Sequence, residues 1–256
     1  MFLVALLTSA LAAHAADSHT EGVAPEVALS RLVDGNRRYI ADKPIHPGQR
    51  AADRARAAKG QTPHTMVLTC ADSRVGPELL FDQGLGDLFV VRAAGNNVDD
   101  HLVASLEYAE EHLGSRLLVV MGHTSCGAVK AAAMTPAGTT AGSPSLDELV
   151  ADIQTCMGPL TAAQLKDPTL REAVHANAVG AGKALLGASP ILRHAVETGH
   201  LRVVPAVYDL ASGFVTFDAP LAIAPQGASA GAPAHVAPAP APAPPASDAH
   251  GGPAHH

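Results

Sequence analysis

The chain has 256 residues, 47% of them hydrophobic and 16% charged, with 17 lysines and arginines against 24 aspartates and glutamates for a formal net charge of -7. That length predicts one large domain with appendages, or two small ones, and an acidic balance without a basic arm excludes the electrostatic footprint of a nucleic-acid binder. Aromatics at 3% and the absence of Trp argue against base-stacking platforms, whereas 14 histidines beside 3 cysteines supply the donor types of a zinc or other soft-metal site and too few thiols for a disulfide framework.

Residues 1–16 contain no Lys, Arg, Asp or Glu. The apolar run from Met1 to Ala13, followed by Ala13-His14-Ala15, predicts a secretory signal peptide cleaved after Ala15 or Ala16 and too short to span a bilayer, although the usual positive start is missing. Residues 17–224 form the expected domain, long enough to bury a substantial core. Within it the apolar pattern predicts helices over 25–40 and 51–59, strands over 66–69 and 88–91, a helix over 101–113 and a strand over 117–121. Helices over 127–133, 146–157, 170–186 and 191–198 follow, then a strand over 201–208 with 214–218 as its hairpin partner across Ala211-Ser212-Gly213. Alternating helices and nearly continuous apolar strands predict an α/β fold: a mostly parallel central sheet of four parallel strands plus an antiparallel edge strand, flanked by helices. Residues 225–256 hold 8 of the 20 prolines, the charged residue Asp248, and His235, His250, His255 and His256. The Ala-Pro alternation from Ala237 to Pro245 favours an extended, disordered tail whose histidines could capture metal.

The chemistry lies at the carboxyl ends of two strands, where open α/β sheets gather their binding residues. The strand over 66–69 runs into Cys70-Ala71-Asp72-Ser73-Arg74, and that over 117–121 into Gly122-His123-Thr124-Ser125-Cys126-Gly127. If the two strands are neighbours, about 5 Å apart, Cys70, His123 and Cys126 converge on one point. Two thiolates and an imidazole leave a fourth position open, as catalytic zinc sites do. Gly127 opens a helix whose dipole favours the Cys126 thiolate. Cys156, inside a helical pattern near Leu149 and Ile153, reads instead as a core or half-buried thiol. Asp72 can become a fourth ligand or accept a hydrogen bond from metal-bound water, and Arg74 can hold its carboxylate off the metal in a bidentate pair.

Cys70-Ala71-Asp72-Ser73-Arg74, followed about fifty residues later by His123-Thr124-Ser125-Cys126-Gly127, resembles the β-class carbonic anhydrases. The likeness extends from Asp34-Gly35-Asn36-Arg37-Arg38-Tyr39 through Gly95-Asn96-Asn97 to the last strands. It implies one Zn2+ per chain on Cys70, His123 and Cys126, an Asp72–Arg74 dyad, and reversible hydration of carbon dioxide to bicarbonate through a zinc-bound hydroxide. It further implies a substrate pocket using Gln61, Phe89, Tyr108 and Gly127. In that family the glutamine and the aromatics come from the partner subunit, so the resemblance implies a homodimer, with tetramers left open. Val67 stands where the bicarbonate-inhibited subgroup carries Trp, and Arg92 matches a further residue of that regulatory site. The chain therefore resembles the plant-type subgroup, with an open zinc site, while Ala94 replaces a larger aliphatic residue of the family pocket.

Two other readings fit the same ligands: a carbon disulfide or carbonyl sulfide hydrolase on this scaffold, and a non-catalytic zinc-binding or storage protein fed by the His-rich tail. Gln61 and the aromatics favour carbon dioxide, and an intact Asp72–Arg74 pair has no use in storage. His64 and His101 lie near the motifs and are candidates for the proton shuttle, which the sequence does not identify, but each reads more readily as a surface histidine. The predicted location is the periplasm or the exterior, without membrane insertion once the leader is cleaved, or the cytoplasm if residues 1–16 are not a leader.

Overall fold

The computed structural model describes residues 22–136 and 138–223, so the expected leader at 1–16 and the tail at 225–256 lie outside the described residues. Helices α1 (Pro25–Ile40) and α2 (Ala51–Ala57) precede strand β1 (Thr65–Cys70), short helix α3 (Pro77–Leu80), strand β2 (Leu88–Ala93) and a 3-10 turn, Ala94–Asn96. Helix α4 (Asp100–Leu113), strand β3 (Leu117–His123) and helices α5 (Gly127–Met134) and α6 (Pro144–Met157) come next. Helices α7 (Ala162–Lys166), α8 (Arg171–Ala188) and α9 (Pro190–Glu197) then lead to strands β4 (Arg202–Tyr208) and β5 (Val215–Phe217).

The strands form one sheet in the order β2-β1-β3-β4-β5. The first four are mutually parallel and β5 closes the edge antiparallel to β4, which is the predicted arrangement. Strands β1 and β3 are buried at every position, as expected of parallel strands covered on both faces. Their side chains alternate between two cores. Met66 and Leu68 join Leu118, Val120 and Val203 beneath α4, α8 and α9, whereas Val67 joins Val119, Met121 and Val204 against Ala28 and Leu32 of α1 and Leu80 of α3. A third apolar cluster caps the carboxyl end of the sheet, where Val129, Ile153 and Val174 surround Cys70 and Cys126.

Several helices start earlier than their apolar periodicity indicates, because caps rather than apolar residues set the start. The Asp99 carboxylate accepts from the His101 and Leu102 amides, and Ser143 and Ser189 cap α6 and α9, each of which has Pro at its first position. The two helices absent from the sequence reading, α3 and α7, have four and five residues. Segments that short carry no readable period; α7 is held by a Thr161–Gln164 capping box.

Asp82 fixes the long connection after α1. Its buried carboxylate pairs with Arg38 Nε at 2.6 Å and accepts the Ile45 and His46 amides at 3.0 Å each. Burial alone would raise its pKa; the Ile45 amide, Arg38 and the His46 amide outweigh that, and the net shift is downward. Since the folded pKa lies below the unfolded one, the stabilisation is fully present above the ordinary carboxylate range near pH 4 and is lost as the pH falls through the folded value. Asp82→Ala should cost about 1–3 kcal/mol in urea unfolding at pH 7, because it removes the charge-assisted bonds that tie Arg38 and the Ile45 and His46 amides to one buried carboxylate. The gap between parent and variant should narrow at pH 3, and a gap that did not change would remove the assigned role.

Candidate active site

The parallel register of β1 and β3 pairs Thr69 with Met121, so the next residues of both strands emerge side by side from the carboxyl end of the sheet. Cys70 and His123 are the last residues of these strands. Past His123 the backbone turns through Ser125 in the left-handed region, at φ 55°. That turn, held by a bond from the Ser125 amide to the Thr169 carbonyl at 2.8 Å, returns Cys126 to the same point. Left-handed non-glycine residues are uncommon and are kept where the surroundings impose them.

The result is a buried cluster in which one donor atom each of Cys70, His123 and Cys126 lies within 4.8 Å of the others. The two Sγ atoms are 3.9 Å apart. A tetrahedral ion with zinc–sulfur bonds of about 2.3 Å would set them roughly 3.8 Å apart. His123 Nδ1 lies 3.0 Å from the Thr124 carbonyl, which can only accept, so the ring proton is on Nδ1 and Nε2 keeps its lone pair. That Nε2 is buried with no hydrogen-bond partner. An orphaned imidazole lone pair facing two thiols is costly unless a cation occupies the space between them, and the donor set suits zinc.

The electrostatics point the same way. Cys70 is pulled down, chiefly by the hydrogen bond from Cys126 and further by the Gly95 and Asp72 amides, against the cost of burial. Cys126 is pushed up by that sulfur and by burial, more strongly than the Val129 and Ala128 amides pull it down. A cation bound between the two sulfurs would favour their thiolate forms and release protons.

Asp72 stands beside the cluster, its Oδ2 3.7 Å from His123 Nε2. Arg74 grips both oxygens, Nε to Oδ1 at 2.9 Å and Nη2 to Oδ2 at 2.7 Å, while its own amide adds a third bond to Oδ1. This guanidinium holds the Asp72 carboxyl well below the usual carboxylate range. Arg92, on the adjacent strand β2, donates to the Cys70 carbonyl at 3.1 Å and to the Asp72 carbonyl at 2.7 Å, so it fixes the backbone that carries both residues. Gly127 opens α5 directly after Cys126 and is exposed. Ala94, also exposed, starts the 3-10 turn.

The other predicted pocket residues do not gather here within one chain. Gln61 is exposed on the loop before β1, at the opposite end of a strand whose rise is about 17 Å at 3.3–3.4 Å per residue. Phe89 pairs with Met66, far down β1 from Cys70, and packs half-buried on the α4 side of the sheet. Tyr108 is exposed on α4, its ring 5.1 Å from that of His112. His64 requires a correction: just before β1 it is buried, with Nδ1 2.8 Å from Thr65 Oγ1 and Nε2 3.1 Å from Gln83 Oε1, partners that satisfy the ring inside. Burial pushes its pKa down, and it sits away from the carboxyl end of the sheet. His101 is exposed, as expected, and Cys156 is half-buried.

Residues 65–215 match the family model for carbonic anhydrase. The chain belongs to the β-carbonic anhydrase family. Carbonic anhydrase from Pseudomonas aeruginosa is 33% identical over 196 residues, covering 71% of this chain and 84% of that protein. Carbonic anhydrase 2 from Mycobacterium tuberculosis is 51% identical over 108 residues, 42% of this chain; the chain spans about half, 52%, of that relative's length. Among solved structures, a Coccomyxa β-carbonic anhydrase in complex with acetazolamide superposes with a TM-score of 0.56 at 30% identity, covering 73% of this chain and 85% of that one. The α/β architecture therefore agrees with the chain's sequence relationships.

Sequence reasoning named the three metal-ligand candidates and the Asp72–Arg74 pair but missed the contacts behind them. The Gly95 amide donates to Cys70 Sγ at 3.3 Å, and Asn177 Nδ2 to the Gly95 carbonyl at 2.7 Å. The one available signal was a polar residue on the otherwise apolar face of the helix over 170–186. If the cluster is the metal site, the purified protein should hold one zinc per chain after dialysis against metal-free buffer, and His123→Ala should hold almost none while keeping its far-ultraviolet circular dichroism. Equal zinc in both proteins would sink the assignment.

Proposed function

We propose that the chain hydrates carbon dioxide reversibly to bicarbonate and a proton, with one zinc ion held by Cys70, His123 and Cys126. The observation that carries this reading is the juxtaposition of the buried, unpartnered His123 Nε2, two thiols 3.9 Å apart and an immobilised Asp72 carboxylate. When bound, zinc supplies a Lewis acid that makes water acidic near neutral pH.

The protein's own groups then divide the remaining work. Asp72, kept ionised by Arg74, accepts a hydrogen bond from the attacking water and turns its lone pair toward the carbon of carbon dioxide. Arg74 prevents the carboxylate from swinging onto the metal, because both of its oxygens are engaged. Arg92 holds the Cys70 and Asp72 carbonyls, so that ligand and orienting group keep a fixed separation. Such orientation has no purpose in a storage protein.

We also propose a homodimer in which Gln61, Phe89 and Tyr108 complete the pocket of the other subunit, since one chain leaves them away from its own thiols. Strand β2 lies at the outer edge of the sheet, and Leu79, Leu85 and Tyr108 are exposed apolar side chains; a bare parallel edge invites pairing. Export rests on the uncharged apolar run ahead of Ala13-His14-Ala15. Native mass spectrometry of the protein from its host reads both features: a dimer is expected, each chain shortened by 15 or 16 residues, and a full-length monomer would overturn both.

Stopped-flow hydration of carbon dioxide, with zinc content measured on the same sample, tests the activity. Asp72→Asn should retain its zinc and lose about 10- to 100-fold in kcat/KM, the usual cost of removing an orienting group beside a metal. Zinc at one per chain without hydration would refute the reading, and sulfide release from carbon disulfide by that same sample would place the activity with the alternative hydrolases.

A further inference from the structure

Helix α8 forms the wall behind the ligand cluster. Its inward face is buried from Ala173 to Leu186, and Asn177, 1% exposed, is the polar member of a face otherwise made of alanine, valine, glycine and leucine. The helix comes close to both strand ends. A side chain added at Gly122, the residue before His123, would meet Val174 Cγ1 at 2.6 Å. One turn further on, Asn177 Nδ2 donates to the Gly95 carbonyl at 2.7 Å and lies 3.4 Å from Asn96 Oδ1.

The turn that Asn177 holds is an unusual one. Gly95 and Asn96 are consecutive left-handed residues, at φ 65° and 48°, and a Cβ at Gly95 would stand 2.6 Å from Ile153 Cδ1. Both residues are buried, so the Gly95 carbonyl needs an internal donor, and the Asn177 Nδ2 amide provides it. On the other side of the Gly95 α-carbon, the amide points at Cys70 Sγ. A residue needed only to fill this space would be leucine or methionine, because burying an amide costs free energy unless its bonds are made.

We propose that Asn177 is a positioning residue for the Cys70 thiolate. By anchoring the Gly95–Asn96 turn it keeps the Gly95 N–H on the sulfur, and thereby sets how strongly Cys70 donates to a metal. The inference rests on the metal reading given above. An N–H bond to a thiolate withdraws electron density from it, and partners of this kind typically change metal affinity or activity by about 10- to 100-fold.

Cobalt(II) is the probe, since its thiolate charge-transfer band reports sulfur donation whatever the catalytic activity. Asn177→Ala should bind zinc about 10- to 100-fold more weakly in competition with a chromophoric chelator, and its cobalt band should move to longer wavelength as the sulfur regains electron density. Leu192→Ala, a core truncation on α9, lowers stability without touching the turn and should keep the parental band. A shift of the same size in Leu192→Ala would assign the effect to general loosening and overturn the proposal. If Asn177→Ala does not fold, the unmodified protein decides: loaded with 113Cd, it should show a coupling between the metal and the Gly95 amide, and no coupling leaves Asn177 nothing to position. A parent protein that takes up no cobalt overturns this inference together with the metal reading. A parent that binds cobalt, beside an Asn177→Ala variant with the parental band and zinc affinity, overturns this inference alone.

Discussion

The parallel register between β1 and β3 is the constraint on which the site depends. Because Thr69 lies opposite Met121, Cys70 and His123 leave the sheet within a residue of each other. Slipping that pairing by one residue would turn every side chain of one strand to the other face, sending Met66 and Leu68 into the core that Val67 fills and moving Cys70 away from His123. The apolar alternation that decides which side chains face α1 and which face α8 thus also decides where the thiol and the imidazole meet. Packing and ligand geometry are set by one register, and the large burial on both faces leaves no low-energy alternative to it.

Around that point the protein places groups that are unfavourable alone and tolerable together. Two thiols 3.9 Å apart cannot both ionise without a cation, and His123 Nε2 has no partner. Ser125, between His123 and Cys126, and Gly95 and Asn96, in the turn whose Gly95 amide bonds to Cys70 Sγ, all occupy the left-handed region. The unpartnered donors and the two non-glycine left-handed residues, Ser125 and Asn96, cost free energy, of order 1–3 kcal/mol for a strained backbone residue, and the surrounding apolar cluster of Val129, Ile153 and Val174 supplies the rigidity that keeps them in place. A bound metal repays part of that cost, so folding and metal binding are coupled.

The sequence made the sheet legible because β1, β3 and β4 are short, nearly continuous apolar runs between helices, a pattern that implies a parallel sheet buried on both faces. It made the ligands legible because a Cys and a His-x-x-Cys follow two such runs directly. What it concealed was set by long-range contact. The Asn177 amide bonds to a turn 82 residues away, and a buried Asn on a helix has no local mark of its target. His64 failed for the same reason: its polarity argued for the surface, whereas Gln83, 19 residues on, satisfies it inside. Helices α3 and α7 are too short to show a period, and the starts of α4, α6 and α9 are set by the caps Asp99, Ser143 and Ser189 rather than by apolar spacing.

The clamp on Asp72 also decides which chemical role that residue can have. A carboxylate that holds three hydrogen bonds from Arg74 is far too weak a base to take a proton from water near neutral pH. It can only accept a hydrogen bond, and so it orients. Had the guanidinium been absent, the same carboxylate would be more basic and freer to swing, able both to pick up protons and to compete for the metal position that the reaction needs. On the proposed reading the functions are separate: a metal held by Cys70, His123 and Cys126 would make water acidic, Asp72 would orient that water, and Arg74 keeps Asp72 from doing more than that. A proton released in the proposed reaction would therefore leave by a route that does not pass through Asp72, and the exposed residues Ser73, Arg74, Ser125 and Gly127 beside the buried cluster are where such a route would meet solvent.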